Sequence, residues 1–414
     1  MKHSKTIFFS LLVALLFSSA APEHEDWGFF GHQRINRMAV FTLPPDMIVF
    51  YKKNIEYITK HAIDPDKRRY IAPQEAPRHY IDLDHYGKIP FDNVPRRWNN
   101  ALAKFTDLYV VTTNNDTLHL FGNDQMRYTK DSITINGDAV KRVFQKDSIK
   151  ISTDRYVDFV KKNIANQFYE LDWFISQDSL DTLFQTNYFA PNCNVAFAKD
   201  YLSNYGIVPW HLEKMLYRLT LAFKEVDEAK ILKYSAEIGH YIGDAHVPLH
   251  TTENYNGQLT NQVGIHGFWE SRLPELFADN YNYFVGKSQY IDRTNPYFWG
   301  IVLNSHALLD SVLLIEKDLT NTMPSDLKYC YETRGTQTIR TYCQEFSNAY
   351  HKRLEGMVEK QMRNAILSIG SVWRTAWVNA GQPDLRKLSS EMTDLEEEQI
   401  NLEERKIKGR QHEN

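Results

Sequence analysis

The chain has 414 residues, of which 43% are hydrophobic and 24% are charged. A chain of this length and apolar content can bury a large core, which argues against a mostly disordered protein. Its formal net charge of −4 gives no electrostatic reason for tight, nonspecific binding to a nucleic-acid backbone, although a nucleic acid bound only transiently as a substrate is compatible with it.

The first 21 residues are typical of a secretory signal peptide. Lys2 and Lys5 precede an apolar run over residues 7–17, and small residues follow at positions 18–21. The apolar run is too short to span a membrane, and no cysteine follows it for lipid attachment. We therefore expect an exported protein, periplasmic or extracellular, without transmembrane anchoring.

Helical spacing of apolar residues dominates the rest of the chain. Over residues 31–63 the spacing predicts two helices, separated by the turn "TLPPD". The segment "PWHLEKMLYRLTLAF" predicts a helix that begins at Pro209, and the run from "EGMVEKQM" onward predicts a long helix that ends near Gly381 and Pro383.

Two regions differ from this helical pattern. Residues 109–152 contain short β-branched runs separated by Asn, Asp and Gly, which predicts a small β-rich insertion. Residues 387–414 are almost wholly charged or polar and predict a solvated tail. We therefore expect a mainly α, multi-helix domain over residues 27–386 with one β-rich insertion.

The cysteines limit the ways in which a metal could be bound. Cys193, Cys330 and Cys343 are too few for a disulfide framework, and none lies in a CxxC pattern. In an oxidising compartment Cys330 and Cys343 could pair and leave Cys193 free. A metal in this protein would therefore need histidine and carboxylate ligands.

The segment "HYIGDAHVPLH" combines helical spacing with polar groups. His240 and Asp244 are four residues apart and hence on one face of one helix. Pro248 ends that helix, and His250 follows on the turn. Taken alone, such a pair is more often a buried histidine bonded to a carboxylate than a metal site.

A second pair with the same spacing favours the metal site. The segment "HGFWE" places His266 and Glu270 four residues apart on a second expected helix. Two helices that each offer a histidine and a carboxylate, with a histidine on the turn between them, are typical of multi-metal sites inside helical proteins.

Three upstream segments add candidate ligands. "WGFFGH" contains His32, and "DPDKRRY" contains Asp64 or Asp66 together with Arg69. The third segment, "RHYIDLDHYG", contains His79, Asp82, Asp84 and His85. Nitrogen and oxygen ligands without thiolate suit a catalytic zinc cluster with open positions.

In their order along the chain, "WGFFGH", "RHYID", "HYIGDAHVPLH" and "HGFWE" resemble the motifs of one superfamily. It joins bacterial zinc-dependent phospholipase C to the zinc-dependent single-strand-specific nucleases. The resemblance covers residues 27 to about 100 and 205 to 285 and leaves out the β-rich insertion and the tail. It implies a multi-helix fold and up to three Zn²⁺ ions that activate water for phosphodiester hydrolysis.

The resemblance also implies a set of ligands for each ion. The first zinc would be bound by Asp66, His79, His240 and Asp244. The second would be bound by His250, His266 and Glu270. The third would be bound by His32, by Asp244 as a bridge, and by the amino group and carbonyl of Trp27.

Two further residues receive catalytic roles from the resemblance. Asp66 and Arg69 match the family's Asp-x2-Arg pattern, in which the arginine faces the phosphate and pairs with the carboxylate found here at Asp82. Asp82 would orient Arg69 or the attacking water. Asp64 stays an open alternative to Asp66 as the ligand.

Three features depart from the family's pattern. Cleavage near Ala20 or Ala21 would leave residues ahead of Trp27, so either a second cut occurs after Asp26 or the third zinc is weak or absent. Glu270 stands where the nucleases usually have aspartate. The segment "NYNGQLTNQ" stands where many of them carry Gly-Gly-Asn. The last two differences favour the phospholipase branch.

The sequence therefore leaves three functional hypotheses. The leading one is a phospholipase C-like enzyme that acts on a phospholipid head group, and its alternative is a single-strand-specific nuclease. The third is a secreted, noncatalytic binding protein that zinc stabilises. The sequence does not indicate the oligomeric state or the role of the β-rich insertion.

Overall fold

A computed structural model describes residues 28–388, apart from positions 70, 73, 123–125, 130, 166–172 and 335–336. The expected signal peptide (1–21), Trp27 and the expected tail from residue 389 onward lie outside the described residues. The structure is 61% helical and 14% strand, which confirms the prediction of a mainly α protein.

The N-terminal segment is helical, as the spacing over residues 31–63 predicts, but the second of the two expected helices is divided at Asn54. Its helices are α1 (Gly28–Ala39), α2 (Pro45–Lys53), α3 (Ile55–Lys60), α4 (Asp64–Arg69) and α5 (Trp98–Phe105). Short 3₁₀ turns at Val40–Thr42, His61–Ile63, Ala76–Arg78 and Leu83–Tyr86 connect them. The Pro-Pro turn leads into α2, which begins at Pro45. Proline is tolerated in the first turn of a helix because its missing N–H costs no hydrogen bond there.

The β-rich region comes next. Its strands are β1 (Thr106–Thr112), β2 (Thr117–Phe121), β3 (Met126–Tyr128), β4 (Ser132–Asn136), β5 (Ser148–Ser152), β6 (Trp173–Ile175) and β7 (Cys193–Asp200). The intervening helices are α6 (Asp138–Phe144), α7 (Thr153–Asn163), α8 (Gln177–Phe184) and α9 (Phe189–Asn192), and α10 (Leu202–Tyr205) follows. One antiparallel sheet has the order β2-β1-β7-β6 and a second has the order β3-β4-β5.

This region extends beyond the predicted limits of residues 109–152. β7 pairs with β1 in antiparallel register, with Tyr109 opposite Phe197, so the β structure continues to Asp200. The prediction that helical spacing dominates the chain outside residues 109–152 did not identify β6 and β7. The partner of β1 lies more than 80 residues away along the chain, so local pattern could not identify it.

The C-terminal half contains eight further helices in its described residues. They are α11 (Val208–Glu225), α12 (Glu228–Ala245), α13 (Ile265–Gly267), α14 (Leu273–Phe277), α15 (Thr294–His306), α16 (Leu309–Thr322), α17 (Gln344–Arg353) and α18 (Met357–Asn379). A 3₁₀ turn follows α12 at Pro248–Thr251, and a π-helix at Phe268–Arg272 joins α13 to α14. The expected helices at Pro209 and before Gly381 correspond to α11 and α18.

Two strands and a disulfide also lie in this half. β8 (Tyr329–Arg334) and β9 (Gln337–Tyr342) form an antiparallel hairpin. Cys330 and Cys343 form a disulfide beside it, and Cys193 is free and buried. The pairing that the sequence left open is therefore present in the structure.

α12 is the central helix of the molecule. All its residues from Ile231 to Ala245 are buried, and α1, α11 and α18 pack around it. A Cβ atom at Gly239 would lie 2.0 Å from Asn36 Oδ1, and one at Gly243 would lie 2.8 Å from Ile35 Cδ1. The two glycines therefore allow α1 to approach α12 closely.

The stretch Thr294–Thr322 is the one part of the described chain that is long and apolar enough to cross a membrane. It comprises α15 and α16 with a turn between them, and 39% of its most apolar window is buried inside the molecule. Core helices of soluble proteins have the same length and composition, so this stretch carries no conclusion about anchoring.

Candidate metal centre

The C-terminal end of α12 carries the residues around which the site is built. His240 and Asp244 lie one turn apart on the helix, and their side chains are 0% and 2% exposed. Asp244 Oδ2 lies 3.3 Å from His240 Nε2, and the other carboxylate oxygen, Oδ1, points toward His32 and His250. The carboxylate of Asp244 thus faces two sets of histidines at once.

The first group of potential ligands joins α4, the segment after the turn at Ala76–Arg78, and α12. Ligand atoms of Asp66, His79 and His240 lie within 4.8 Å of one another. His79 Nδ1 is 2.9 Å from Asp244 Oδ2 and 3.0 Å from His240 Nε2. All four residues that the resemblance implies for the first zinc therefore converge.

The second group lies beyond the end of α12. Ligand atoms of His250, His266 and Glu270 lie within 4.8 Å of one another. Glu270 Oε2 is 2.6 Å from His266 Nε2 and 3.3 Å from His250 Nε2. Glu270 lies in the π-helix, a form that is frequently found at functional sites.

His32 on α1 connects the two groups. Its Nε2 is 3.4 Å from Asp244 Oδ1 and 3.3 Å from Glu270 Oε1, and its ring stacks on His240 at 4.0 Å between centroids. His32, His240 and Asp244 form the third set of closely spaced ligand atoms. The structure brings together eight of the nine expected ligands, and the ninth, Trp27, lies outside the described residues.

The hydrogen bonds of His240 and His250 are compatible with metal binding through the Nε2 atoms of both rings. His240 Nδ1 donates to Ala62 O at 2.8 Å, and His250 Nδ1 donates to His79 O at 2.9 Å. Both Nε2 atoms point at other histidine nitrogens, His240 Nε2 at His79 Nδ1 and His250 Nε2 at His266 Nε2, 3.1 Å away, so they face the positions of other potential ligands. Metal-bound histidines usually donate their second N–H to a carbonyl or carboxylate in this way.

The electrostatics of the group follow from burial and close opposite charges. Burial would raise the pKa of Asp244, but interactions with His240 and His250 hold it well below its usual range. Burial would likewise raise the pKa of Glu270, and interactions with His250, His266 and His32 hold it well below its usual range. The two ionised carboxylates, Asp244 buried and Glu270 partly exposed, lie among imidazole nitrogens and form a donor set that suits a divalent cation.

A cleft of about 430 Å³ borders the second group. His250 and His266 line it, together with Arg69. The cleft is also lined by Tyr80, Asp82, Tyr205, Glu253 and Tyr255. The part of the centre formed by His250 and His266 is therefore accessible to a substrate.

The contacts of α4 distinguish the two candidate aspartates. Asp64 Oδ2 is 2.6 Å from His61 Nδ1, and this interaction holds it at the start of the helix. Asp66 Oδ1 is 3.7 Å from both His79 Nδ1 and His240 Nε2. The structure therefore places Asp66, and not Asp64, with the histidines.

One expected pairing is absent from the described structure. Arg69 Nη2 lies 3.2 Å from Asp66 Oδ1 and does not pair with Asp82, although Arg69 and Asp82 line the same cleft. Burial, followed by repulsion from Asp84 and Glu253, raises the pKa of Asp82 to about 7. Arg69 does not pair with Asp82 because Asp66, three residues earlier on α4, is close enough to bind its guanidinium group.

Asp84 and His85 have supporting positions, as turn or outer residues would. Asp84 Oδ2 accepts hydrogen bonds from Thr252 Oγ1 at 2.5 Å and from the backbone N–H of Glu253 at 3.0 Å. His85 Nε2 is 3.1 Å from Glu253 Oε2, and its ring stacks on Tyr205. Together they fix the loop that forms one wall of the cleft.

A buried polar network lies behind His79, and no sequence pattern predicts it. Glu75 is 1% exposed and accepts hydrogen bonds from Arg78 and Tyr241, and Arg68 Nε lies 3.3 Å from its Oε2. Arg68 also bonds Glu237 at 2.5 Å. The spacing between residue 75 and residues 237 and 241 carries no periodic signal, so only tertiary packing could identify this network.

Neither the models of known protein families nor the curated protein sequences contain a match to this chain. The functional interpretation therefore depends on the geometry of the site and on the motif resemblance.

Proposed function

We propose that the protein is an exported, zinc-dependent phosphodiester hydrolase of the phospholipase C type, within the superfamily that its motifs resemble. The observation that carries the proposal is the closeness of three groups of histidine and carboxylate ligands, two of which share His240, beside a cleft of about 430 Å³. Closed structural metal sites lack such an open side.

The chemistry follows from how the residues are arranged. When bound, zinc ions would lower the pKa of a water molecule and stabilise charge on phosphoryl oxygens. Asp244 directs its two oxygens to different histidines and so fixes the spacing of the groups. Arg69, at the cleft wall and next to Asp66, would donate hydrogen bonds to a phosphoryl oxygen.

The cleft supports a substrate with one phosphate and a cationic head group. Among the described residues that line it, Arg69 is the one arginine or lysine, whereas Asp82 and Glu253 add carboxylates. Tyr80 and Tyr255 add aromatic rings, which attract ammonium groups through their faces. A polyanion that crossed this cleft would meet the carboxylate of Glu253, and that of Asp82 when it is ionised, so the charge distribution favours a phospholipid over a nucleic acid.

The test is a direct comparison of substrates with mature protein purified without chelator. We expect release of diacylglycerol from phosphatidylcholine vesicles, loss of that release with a zinc chelator, and recovery with added zinc. Turnover of single-stranded DNA without lipid turnover would instead support the nuclease, in which the same tyrosines would stack on bases.

The noncatalytic hypothesis predicts a different pattern. Zinc removal would lower the thermal midpoint of unfolding, because a ligand present at 100 times its dissociation constant stabilises the folded state by ~2.7 kcal/mol. Metal-loaded protein that is stabilised in this way, but hydrolyses neither lipid nor DNA, would support a zinc-stabilised binding protein.

A further inference from the structure

His79 differs from His240 and His250, two other buried histidines of the centre, in its second ring nitrogen. Its Nδ1 faces Asp244 and His240, at 2.9 and 3.0 Å. Its Nε2 is buried, makes no hydrogen bond within the described part of the chain, and lies 3.7 Å from Glu75 Oε1. A cation bound at Nδ1 requires the proton of His79 to be on Nε2, which points toward the carboxylate of Glu75.

The corresponding nitrogens of the neighbouring histidines meet uncharged acceptors. His240 Nδ1 donates to the carbonyl of Ala62, and His250 Nδ1 donates to the carbonyl of His79. A carboxylate acceptor makes an imidazole a better electron donor than a carbonyl acceptor does. Glu75 should therefore make His79 a stronger electron donor to a metal than the backbone carbonyls make His240 and His250.

We propose that Glu75 is a positioning residue that accepts the Nε2 proton of His79 and so directs the lone pair of Nδ1 at the metal. This inference rests on the proposed zinc centre. Glu75 does not touch the cleft, and it acts on the reaction only through His79.

The surroundings of Glu75 are suited to this role. Arg78 and Tyr241 donate hydrogen bonds to it, and Arg68 approaches the oxygen that Arg78 contacts. These contacts fix the carboxylate and leave it ionised inside the protein. Arg68 belongs to α4, the helix that carries Asp66. The carboxylate of Glu75 therefore contacts the helix of one ligand, Asp66, and faces the ring of another, His79.

The first test compares two substitutions in this network. Glu75→Gln keeps the shape of the side chain and removes the charge behind His79. Glu237→Gln removes a charge that Arg68 contacts in the same network but that does not face His79. The measurement is zinc affinity, from competition with a chromophoric chelator. We expect Glu75→Gln to weaken the tightest zinc by about 10- to 100-fold, and Glu237→Gln to stay close to wild type.

The outcomes separate the inference from the proposed function. Wild-type protein that binds zinc, together with unchanged affinity in Glu75→Gln or an equal loss in Glu237→Gln, would overturn the role of Glu75 alone. Wild-type protein that binds no zinc would overturn both. An unchanged visible spectrum of the Co²⁺-substituted Glu75→Gln protein would also contradict the proposal, because a change at His79 alters the ligand field.

A measurement on the wild type covers the case in which Glu75→Gln does not fold. Protein labelled with ¹⁵N-histidine and loaded with zinc should show a strongly downfield proton coupled to Nε2 of His79, as expected for an N–H bonded to a carboxylate. Absence of a proton on that nitrogen in the loaded protein would refute the inference.

Discussion

The two histidine–carboxylate pairs have the same sequence spacing but different environments. His240 and Asp244 lie on the central helix α12 with side chains that are 0% and 2% exposed. His266 and Glu270 lie on α13 and the π-helix with side chains that are 23% and 15% exposed, and His266 lines the cleft. One spacing thus produces a buried side and an accessible side of the same centre.

This difference indicates a division of roles. The buried pair is fixed by the packing of α1, α11 and α18 around α12, so it should determine whether the centre forms at all. The accessible pair borders the cleft, so it should determine what happens there. Substitutions on the two sides should therefore differ in kind as well as in size.

The largest effect is expected on the buried side. Asp244→Asn removes the charge that faces both His79 and His32. We expect loss of zinc and a rate of hydrolysis reduced by about 1,000-fold, as expected for a group whose stabilisation of the transition state is worth several kcal/mol. Elemental analysis and hydrolysis assays measure both; full zinc content with full activity would refute the site.

Arg69 lies between the two sides, because it pairs with Asp66 and also lines the cleft. Arg69→Ala should lower the rate by about 100-fold, the effect of removing one preorganised donor to a developing charge. Its zinc content should stay unchanged. Lys67→Ala on the same helix is the matched control, since Lys67 is half exposed and contacts Asp64. Zinc loss in Arg69→Ala would argue against its phosphate-binding role.

On the accessible side, a substitution should weaken one metal site and leave the other metal sites intact. His266→Ala removes one of three ligands and leaves His250 and Glu270 in place. We expect about one zinc fewer per chain and an activity that excess zinc partly restores. A protein that loses all of its zinc would show that the two sides are not separable.

The smallest effect concerns packing beneath the buried pair. A Cβ atom at Gly243 would lie 2.8 Å from Ile35 Cδ1 and 2.9 Å from His32 Nδ1. Gly243→Ala should therefore destabilise the protein by about 1–3 kcal/mol, measured by urea unfolding. Gly300→Ala in α15 is the control because nothing lies within 4 Å of its Cβ position, and equal stability of the two variants would contradict the close approach of α1.

The sequence predicted the ligands of the centre better than their surroundings. Spacing of four residues fixes which side chains share a helix face, so His240 with Asp244 and His266 with Glu270 followed from local geometry. Motif resemblance added His32, Asp66 and His79, whose approach to α12 depends on tertiary packing. The expected pairing of Asp82 with Arg69 is absent from the described structure, because Asp66, three residues before Arg69, binds its guanidinium group instead.

Features without a local pattern could not be predicted. Glu75 contacts Tyr241 and its neighbour Arg68 contacts Glu237, across more than 160 residues in each case. The pairing of β1 with β7 has the same cause, and it extends the β-rich region to Asp200. The π-helix at Phe268–Arg272 depends on how α13 and α14 pack, and its sequence resembles that of an ordinary helix.

The most direct test of the centre is anomalous X-ray diffraction from crystals of the mature protein, with data collected on both sides of the zinc absorption edge. We predict one zinc peak among Asp66, His79, His240 and Asp244, and a second among His250, His266 and Glu270. A third peak near His32 would show that the ion shared with Asp244 is also bound. Crystals of active protein without zinc at the first two positions would contradict the account.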